Sequence, residues 1–246
     1  MFAKRCRCRS HEVCTHKKTD IILDVGCGDG KITAAIAAKV PNGVVVGLDV
    51  SPSMIDFARA NFPADQHANL QFVLKDAQNL DYHETFDILF SFTAVQWIAD
   101  HEMFLKKAHE SLKPLGTFAI TMPMGLPANL EQAVNEKISS LQWVSYFQGF
   151  STGWNFVSEV DYAKLLATNQ FISKRFAVVP QNDIFPTRAV FEKFINQWFP
   201  YLRPLPQNLK QTFLTEVVDR YLELETFPND EVHFKVRRLE IVATKT

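Results

Sequence analysis

Ile21-Ile22-Leu23-Asp24-Val25-Gly26-Cys27-Gly28-Asp29-Gly30-Lys31 is the stretch whose reading decides the fold. Ile21–Val25 is a short apolar run that ends in glycines, as a strand buried on both faces of a parallel sheet does. The glycines let the backbone turn sharply and let a ligand come close to it, and the helix that follows adds partial positive charge at its N-terminus. Lys31–Val40 reads as that helix, with Ile32, Ala35, Ile36 and Val40 on one face and Pro41-Asn42-Gly43 stopping it. The glycines run G-x-G-x-G, so Lys31 stands where the nicotinamide fingerprint has its third glycine, which disfavours a nicotinamide site.

Outward from this loop, Val44–Leu48 reads as a second strand. Ser51-Pro52 caps a helix with Met54, Phe57, Ala58 and Phe62 on one face. Leu70–Leu74 and Phe86–Phe90 read as strands three and four, Asp100–Leu112 as a helix, Pro114-Leu115-Gly116 as a turn and Thr117–Thr121 as strand five. Strands and helices that alternate in this way specify βαβ units and a parallel sheet. The pattern then changes. Pro127–Phe156 reads as inserted helices, Val160–Thr168 as a helix and Phe171–Val179 as a strand. Phe191–Trp198 and Leu209–Leu224 are helical, and Glu231–Thr244 closes as a long strand. Residues 20–246 are therefore expected to form one domain with helical insertions at about 127–168 and 187–228.

Three acids fall at successive strand ends. Asp24 ends strand one. Asp49, nineteen residues beyond Gly30, ends strand two, where a carboxylate can accept both hydroxyls of a ribose. Asp76 follows strand three, where a carboxylate can accept from an exocyclic amine. Singly each reads as a turn or helix-cap residue. Together they line the sheet edge where ligands bind in open α/β folds, and they point to a nucleoside site.

The segments ILDVGCGDGKIT, GLDVSPSMIDFA, KDAQNL, FDILFSFTAVQWI and LKPLGTFAIT resemble the successive motifs of class I S-adenosylmethionine-dependent methyltransferases over roughly residues 20–122. The resemblance implies an α/β, Rossmann-like fold: a seven-stranded, mainly parallel sheet of order 3-2-1-4-5-7-6, helices on both faces, the last strand antiparallel. It implies S-adenosylmethionine as cofactor and S-adenosylhomocysteine as product. By family position, Asp24 with Gly26, Cys27 and Gly28 would hold the methionine end. Asp49 would hold the ribose, Val50 beside it would also bind the cofactor, and Met54 would pack near the adenine. Asp76 and Ala77 would receive the adenine edge, and the Phe92 carbonyl would face the amine or sulfonium.

Gln96-Trp97 resembles the (Gln/His/Met)-Trp element of the trans-aconitate, malonyl-thioester, juvenile-hormone-acid and salicylate-type enzymes, which methylate free carboxylates. An indole N–H is a donor that does not ionise, so it can orient a carboxylate without quenching it. A carboxylate is already ionised at neutral pH and needs no general base. Trp97 and Gln96 are thus the candidate catalytic residues for O-methylation of a small organic or acyl acid, with core packing the competing role for Trp97. The alternatives are C- or N-methylation of another small molecule, or a non-catalytic S-adenosylmethionine-binding paralogue. His101 is expected to be a surface or capping residue near a helix N-terminus. Trp143, Tyr146, Phe147, Phe150, Trp154 and Phe156 are expected either to wall an apolar acyl pocket or to pack a helical lid. Arg188, Arg203, Arg237 and Arg238 are candidates for neutralising a second carboxylate.

The 246 residues are 47% apolar and 22% charged, which excludes a disordered chain, a collagen and a disulfide miniprotein. The net charge of −1 divides into a basic head over residues 1–19 and a mildly acidic body, which argues against nucleic-acid binding through bulk charge. The head is expected to be disordered or truncated. The resembling families place a longer segment and a cofactor-covering helix there, so a more open cofactor site is the other expectation, and both bear on turnover. No signal sequence is apparent, and the uncharged run Ile138–Ser158 holds too many Ser, Gln and Asn for a membrane span. Four cysteines without a framework spacing suggest a reducing, cytoplasmic setting. Cys6, Cys8, Cys14 and His16 lack zinc-ligand spacing, and no metal is expected. The oligomeric state is not legible.

Overall fold

The glycine-ended run at 21–25 becomes the central strand of a sheet. In the computed structural model, which describes residues 16–225 and 230–246, β1 (Ile21–Val25) lies between β2 (Val44–Asp49) and β4 (Phe86–Phe92), parallel to both. β2 pairs in parallel with β3 (Leu70–Leu74), and β4 with β5 (Leu112–Pro123). β7 (Val232–Lys245) runs antiparallel to β5, and β6 (Phe171–Phe185) lies outside it. The order is β3-β2-β1-β4-β5-β7-β6, the seven-stranded, mostly parallel sheet expected.

Between the strands run α1 (Lys31–Ala37), α2 (Pro52–Asn61), α3 (His101–Ser111), α4 (Ala128–Ile138), α5 (Glu159–Thr168), α6 (Arg188–Asn196) and α7 (Gln207–Leu224). The expected Ser51 cap forms, its Oγ accepting the Met54 N–H, and Asp100 caps α3 by accepting the Met103 N–H. Two helix faces differ from the expected ones. In α1 the buried side chains are Thr33, Ile36 and Ala37, with Ile32 exposed, because Thr33 turns inward to bond Asp24. In α2 Ile55 and Ala58 are buried, while Met54 and Phe57 stay exposed.

The chain divides into two compact units. One comprises the residues up to Pro123 with 155–179 and 238–246; the other comprises 124–154 and 180–237. The first has its own core, with Ile22, Ile36, Val45, Phe72, Ile88 and Phe90. The second has another, with Trp143, Phe191, Phe213, Tyr221 and Phe234. Helix α5, assigned from sequence to the first insertion, belongs to the first unit. Between 139 and 156 the only regular piece is the 3-10 turn Val144–Phe147, where inserted helices were expected.

The insertion's aromatics pack within the second unit. Trp143 is buried, its ring lies edge-on to Phe213 at 5.2 Å, and its indole N–H donates to Glu216 at 2.9 Å. Phe147, Phe150, Tyr201 and Trp154 form a continuous ring cluster. Trp143 is thus core and no pocket wall. Arg188 is ion-paired with Glu192 and Asp219, and Arg203 donates to the Thr152 carbonyl. No helix among the described residues is long and apolar enough to cross a membrane, and none of them form a cluster that could hold a metal ion. Cys6, Cys8, Cys14 and nearly all of the basic head lie outside the described residues.

Candidate active site

Parallel pairing fixes where the acids end up. Asp24 is in register with Gly47 and Phe90, and Asp49 with Leu74, so Asp24, Asp49, Asp76 and Phe92 all emerge at one edge of the sheet. The loop after β1 is tied to β2. The N–H groups of Gly26 and Cys27 both donate to the Leu48 carbonyl, at 2.7 and 2.9 Å. Gly26 and Gly28 have φ of +77° and +52°, conformations that favour glycine. A Cβ at Gly26 would stand 2.2 Å from the Ala94 Cβ, so the loop touches the segment after β4. A Cβ at Gly28 would meet nothing within 4 Å. One glycine is required by close packing, and the other faces open space.

Asp49 accepts the Gly28 N–H through Oδ2 at 3.0 Å and the Ser51 N–H through Oδ1 at 2.9 Å. The carboxylate is therefore fixed, and each oxygen keeps a lone pair for a further donor. Around it Val50, Met54 and Leu74 expose apolar side chains, at 69%, 44% and 50%. Asp76 accepts the Gln78 N–H at 2.9 Å and caps the 3-10 turn Ala77–Asn79, of which Ala77 is buried. Gln78 Oε1 in turn accepts the Asp100 N–H at 2.8 Å, tying the Asp76 loop to the start of α3.

Asp24 is fully buried and accepts the Thr33 hydroxyl at 2.7 Å. Burial pushes its pKa up to about 6, against the pull of the Thr33 hydrogen bond and with a smaller push from Asp49. Cys27 is buried, and burial together with Asp24 and Asp49 pushes its thiol far up, so it stays protonated and is no nucleophile.

After β4 the chain turns at Thr93, with φ of +57°, whose N–H donates to the Thr121 carbonyl at 2.8 Å. Val95–Trp97 then form a 3-10 turn. Gln96 is 4% exposed; its Nε2 donates to the Thr93 carbonyl at 2.8 Å, and its Oε1 has no hydrogen-bond partner among the described residues. Trp97 is half-buried. The Gln96 carbonyl accepts the Asn155 N–H at 2.8 Å. Sequence reasoning missed Thr33, Gln78 and Asn155, since each acts through hydrogen bonds to residues outside its own motif and none carries a pattern.

These residues fit the cofactor that the resemblance implies. A fixed ribose-type carboxylate with spare acceptor capacity, exposed apolar side chains beside it and a glycine that faces open space suit a nucleoside with a charged tail. Residues 22–116 match the family described as methyltransferase domain. The domain over these residues is an S-adenosylmethionine-dependent methyltransferase domain. The methyltransferase is 29% identical over 238 residues to the trans-aconitate 2-methyltransferase of Deinococcus radiodurans, covering 91% of this chain and 86% of that one. It is 34% identical over 125 residues to the trans-aconitate 2-methyltransferase of Methylobacterium radiotolerans, where the match spans only 51% of this chain and 46% of the relative. Among solved structures, that of a candidate methyltransferase from Bacillus halodurans superposes with a TM-score of 0.65 over 96% of this chain and 97% of its own, at 18% identity. At that identity the likeness speaks for the fold alone.

Proposed function

We propose that this methyltransferase O-methylates the carboxylate of a small organic or acyl acid. The observation that carries the reading is the Gln96–Trp97 turn at the carboxyl end of β4, set beside the acid-lined edge. His101, the histidine nearest in sequence, is held neutral by burial. The similarity to trans-aconitate 2-methyltransferases supports the same acceptor class.

On this reading Asp24 and the loop at Gly26, Cys27 and Gly28 hold the methionine end of the cofactor. Asp49 and Val50 hold the ribose, Met54 flanks the adenine, Asp76 and Ala77 meet its edge, and the Phe92 carbonyl faces the amine or sulfonium. Bound S-adenosylmethionine supplies an electrophilic methyl group. Trp97 donates its indole N–H to one oxygen of the acceptor, and Gln96 fixes the turn, leaving the other oxygen free to attack. With that cofactor held there, an acceptor carboxylate that is already ionised would need no proton removed, so alignment in a site sheltered from water would account for most of the catalysis.

Methyl transfer measured on a panel of free acids and their methyl esters tests the proposal. Free acids should be turned over and their esters not. Turnover of amines or carbon acids with no free acid accepted would overturn the acceptor assignment, and no binding of S-adenosylhomocysteine by calorimetry would overturn the residue assignments.

A further inference from the structure

His101 differs from its expected place at the surface. Asp100 is the cap of α3, and His101 is buried, 4% exposed, at the first helical position. Its ring meets that of Tyr162 on α5, itself 0% exposed, edge-on at 5.5 Å and 84°. Both residues belong to the first unit. The hydroxyl of Tyr162 and Oε1 of Gln96 have no hydrogen-bond partner among the described residues, and the His101 ring has no side-chain hydrogen-bond partner there, only the Asn155 main chain. Buried polar groups are nearly always paired, so unpaired ones in one neighbourhood call for an explanation.

The main chain of Asn155 joins these groups. Its N–H donates to the Gln96 carbonyl at 2.8 Å, and its main chain also faces the His101 ring. Three residues on, Ser158 caps α5, accepting the Asp161 N–H on its side chain and the Tyr162 N–H on its carbonyl. A continuous path therefore runs from Tyr162 through the cap and along the main chain to Asn155 and on to Gln96. The enclosed rings exclude a substrate. A neutral imidazole offers one donor and one acceptor, and a phenol offers both. The complement of that set is internal water, which needs two to four polar partners.

We propose that His101 and Tyr162 are positioning residues for the Gln96–Trp97 turn, joined by internal water and acting on the turn through the Asn155 strap. The proposal's catalytic part rests on the reading of Gln96 and Trp97 given above; its structural part does not.

The test compares Tyr162→Phe, His101→Leu and His101→Asn in the full chain. It reads melting temperature, amide hydrogen exchange at Asn155, and kcat and KM for whichever acceptor the wild type methylates. Tyr162→Phe should lower the melting temperature, speed exchange at Asn155 by about fivefold or more, and lower kcat by about tenfold with KM for S-adenosylmethionine unchanged. His101→Leu should do the same, and His101→Asn, which keeps a donor and an acceptor, should recover most of the loss. If His101→Leu does not fold, the isosteric Tyr162→Phe carries the test.

A melting temperature that rises or stays level in Tyr162→Phe, with Asn155 exchange unaltered, would show an uncompensated hydroxyl and overturn the water-joined pair. Faster exchange with unchanged kcat would overturn the positioning role. Should the wild type methylate an amine in place of an acid, the acceptor assignment fails while the same kinetics still decide this proposal. Should it turn over nothing offered, exchange and melting decide it.

Discussion

A carboxylate with no exposure to water is costly, and Asp24 carries that cost at the head of the glycine loop. Its pKa rises from 3.8 to about 6 through burial, which corresponds to roughly 3 kcal/mol against the ionised form in the folded state. Because the folded-state value is the higher one, the penalty is fully present above about pH 6. It fades as pH falls from there towards 4, where the folded protein takes up the proton before the unfolded chain does. Asp24→Asn should therefore melt higher than the wild type at pH 7.5, and thermal scans should show the gap closing by about pH 4. On the proposed assignment the cofactor's ammonium sits beside Asp24 and pulls its pKa down. Affinity for S-adenosylmethionine should then fall as pH drops below about 6, by at most tenfold per pH unit, and Asn at this position should bind weakly at every pH. Calorimetry at pH 7.5 and 5.5 checks both; equal affinity at the two would remove Asp24 from the cofactor's amine. Trp97 is tested the same way at the acceptor end. Losing one hydrogen bond to a charged oxygen in Trp97→Phe should cost about tenfold in turnover on free acids with cofactor affinity intact. Unchanged turnover would return Trp97 to packing.

At the scale of elements, the loop between β1 and α1 separates a packing glycine from one that faces open space. Gly26→Ala would push a Cβ to 2.2 Å from Ala94, so it should disturb the segment carrying Gln96 and Trp97 and lower the melting temperature. Gly28→Ala meets nothing within 4 Å and carries only the mild strain of a φ of +52°. It should leave the fold nearly as stable, at a cost of about 1 kcal/mol, yet weaken S-adenosylhomocysteine binding by tenfold or more by filling the cofactor's space. Melting and calorimetry on the pair check this; equal effects on both properties would count against it. The loop's turn was legible because glycines and strand-end acids are local signals. Other elements were misjudged where a local rule met a tertiary exception. β6 runs through Pro180 to Phe185, although a proline ends most strands, because β6 is the outermost strand and an edge position does not need that N–H. The turn read at Pro114-Leu115-Gly116 is a bulge inside β5: Leu115 has φ of +63°, and β5 advances from Leu112 to Thr117 while β4 advances only from Phe86 to Ile88.

Across the whole molecule, legibility follows sequence distance. The nucleotide-type edge is built from β1 to β4 and their loops, within seventy-odd residues, and its acids could be placed from sequence alone. His101 and Trp143 could not be, because the partners that bury them, Tyr162 and Phe213, come from helices about sixty to seventy residues further on. The same distance explains the Asn155 bond to Gln96. The two units nevertheless have separate cores, and every side chain so far assigned to the cofactor lies in the first. Phe213 is fully buried in the second, with the rings of Trp143 and Phe147 each at 5.2 Å. Phe213→Ala removes those contacts and leaves a cavity, so it should destabilise the protein by about 3–5 kcal/mol. Because none of the cofactor-edge residues belongs to that core, the folded variant should bind S-adenosylhomocysteine within about twofold of the wild type. Ile88→Ala, in the first unit's core, should cost about 2–5 kcal/mol and also weaken binding, since Ile88 pairs with Ile22 two residues before Asp24. Chemical denaturation and calorimetry on the two variants decide the matter. Cofactor affinity lost equally in both would mean that the edge depends on the second core as much as on its own.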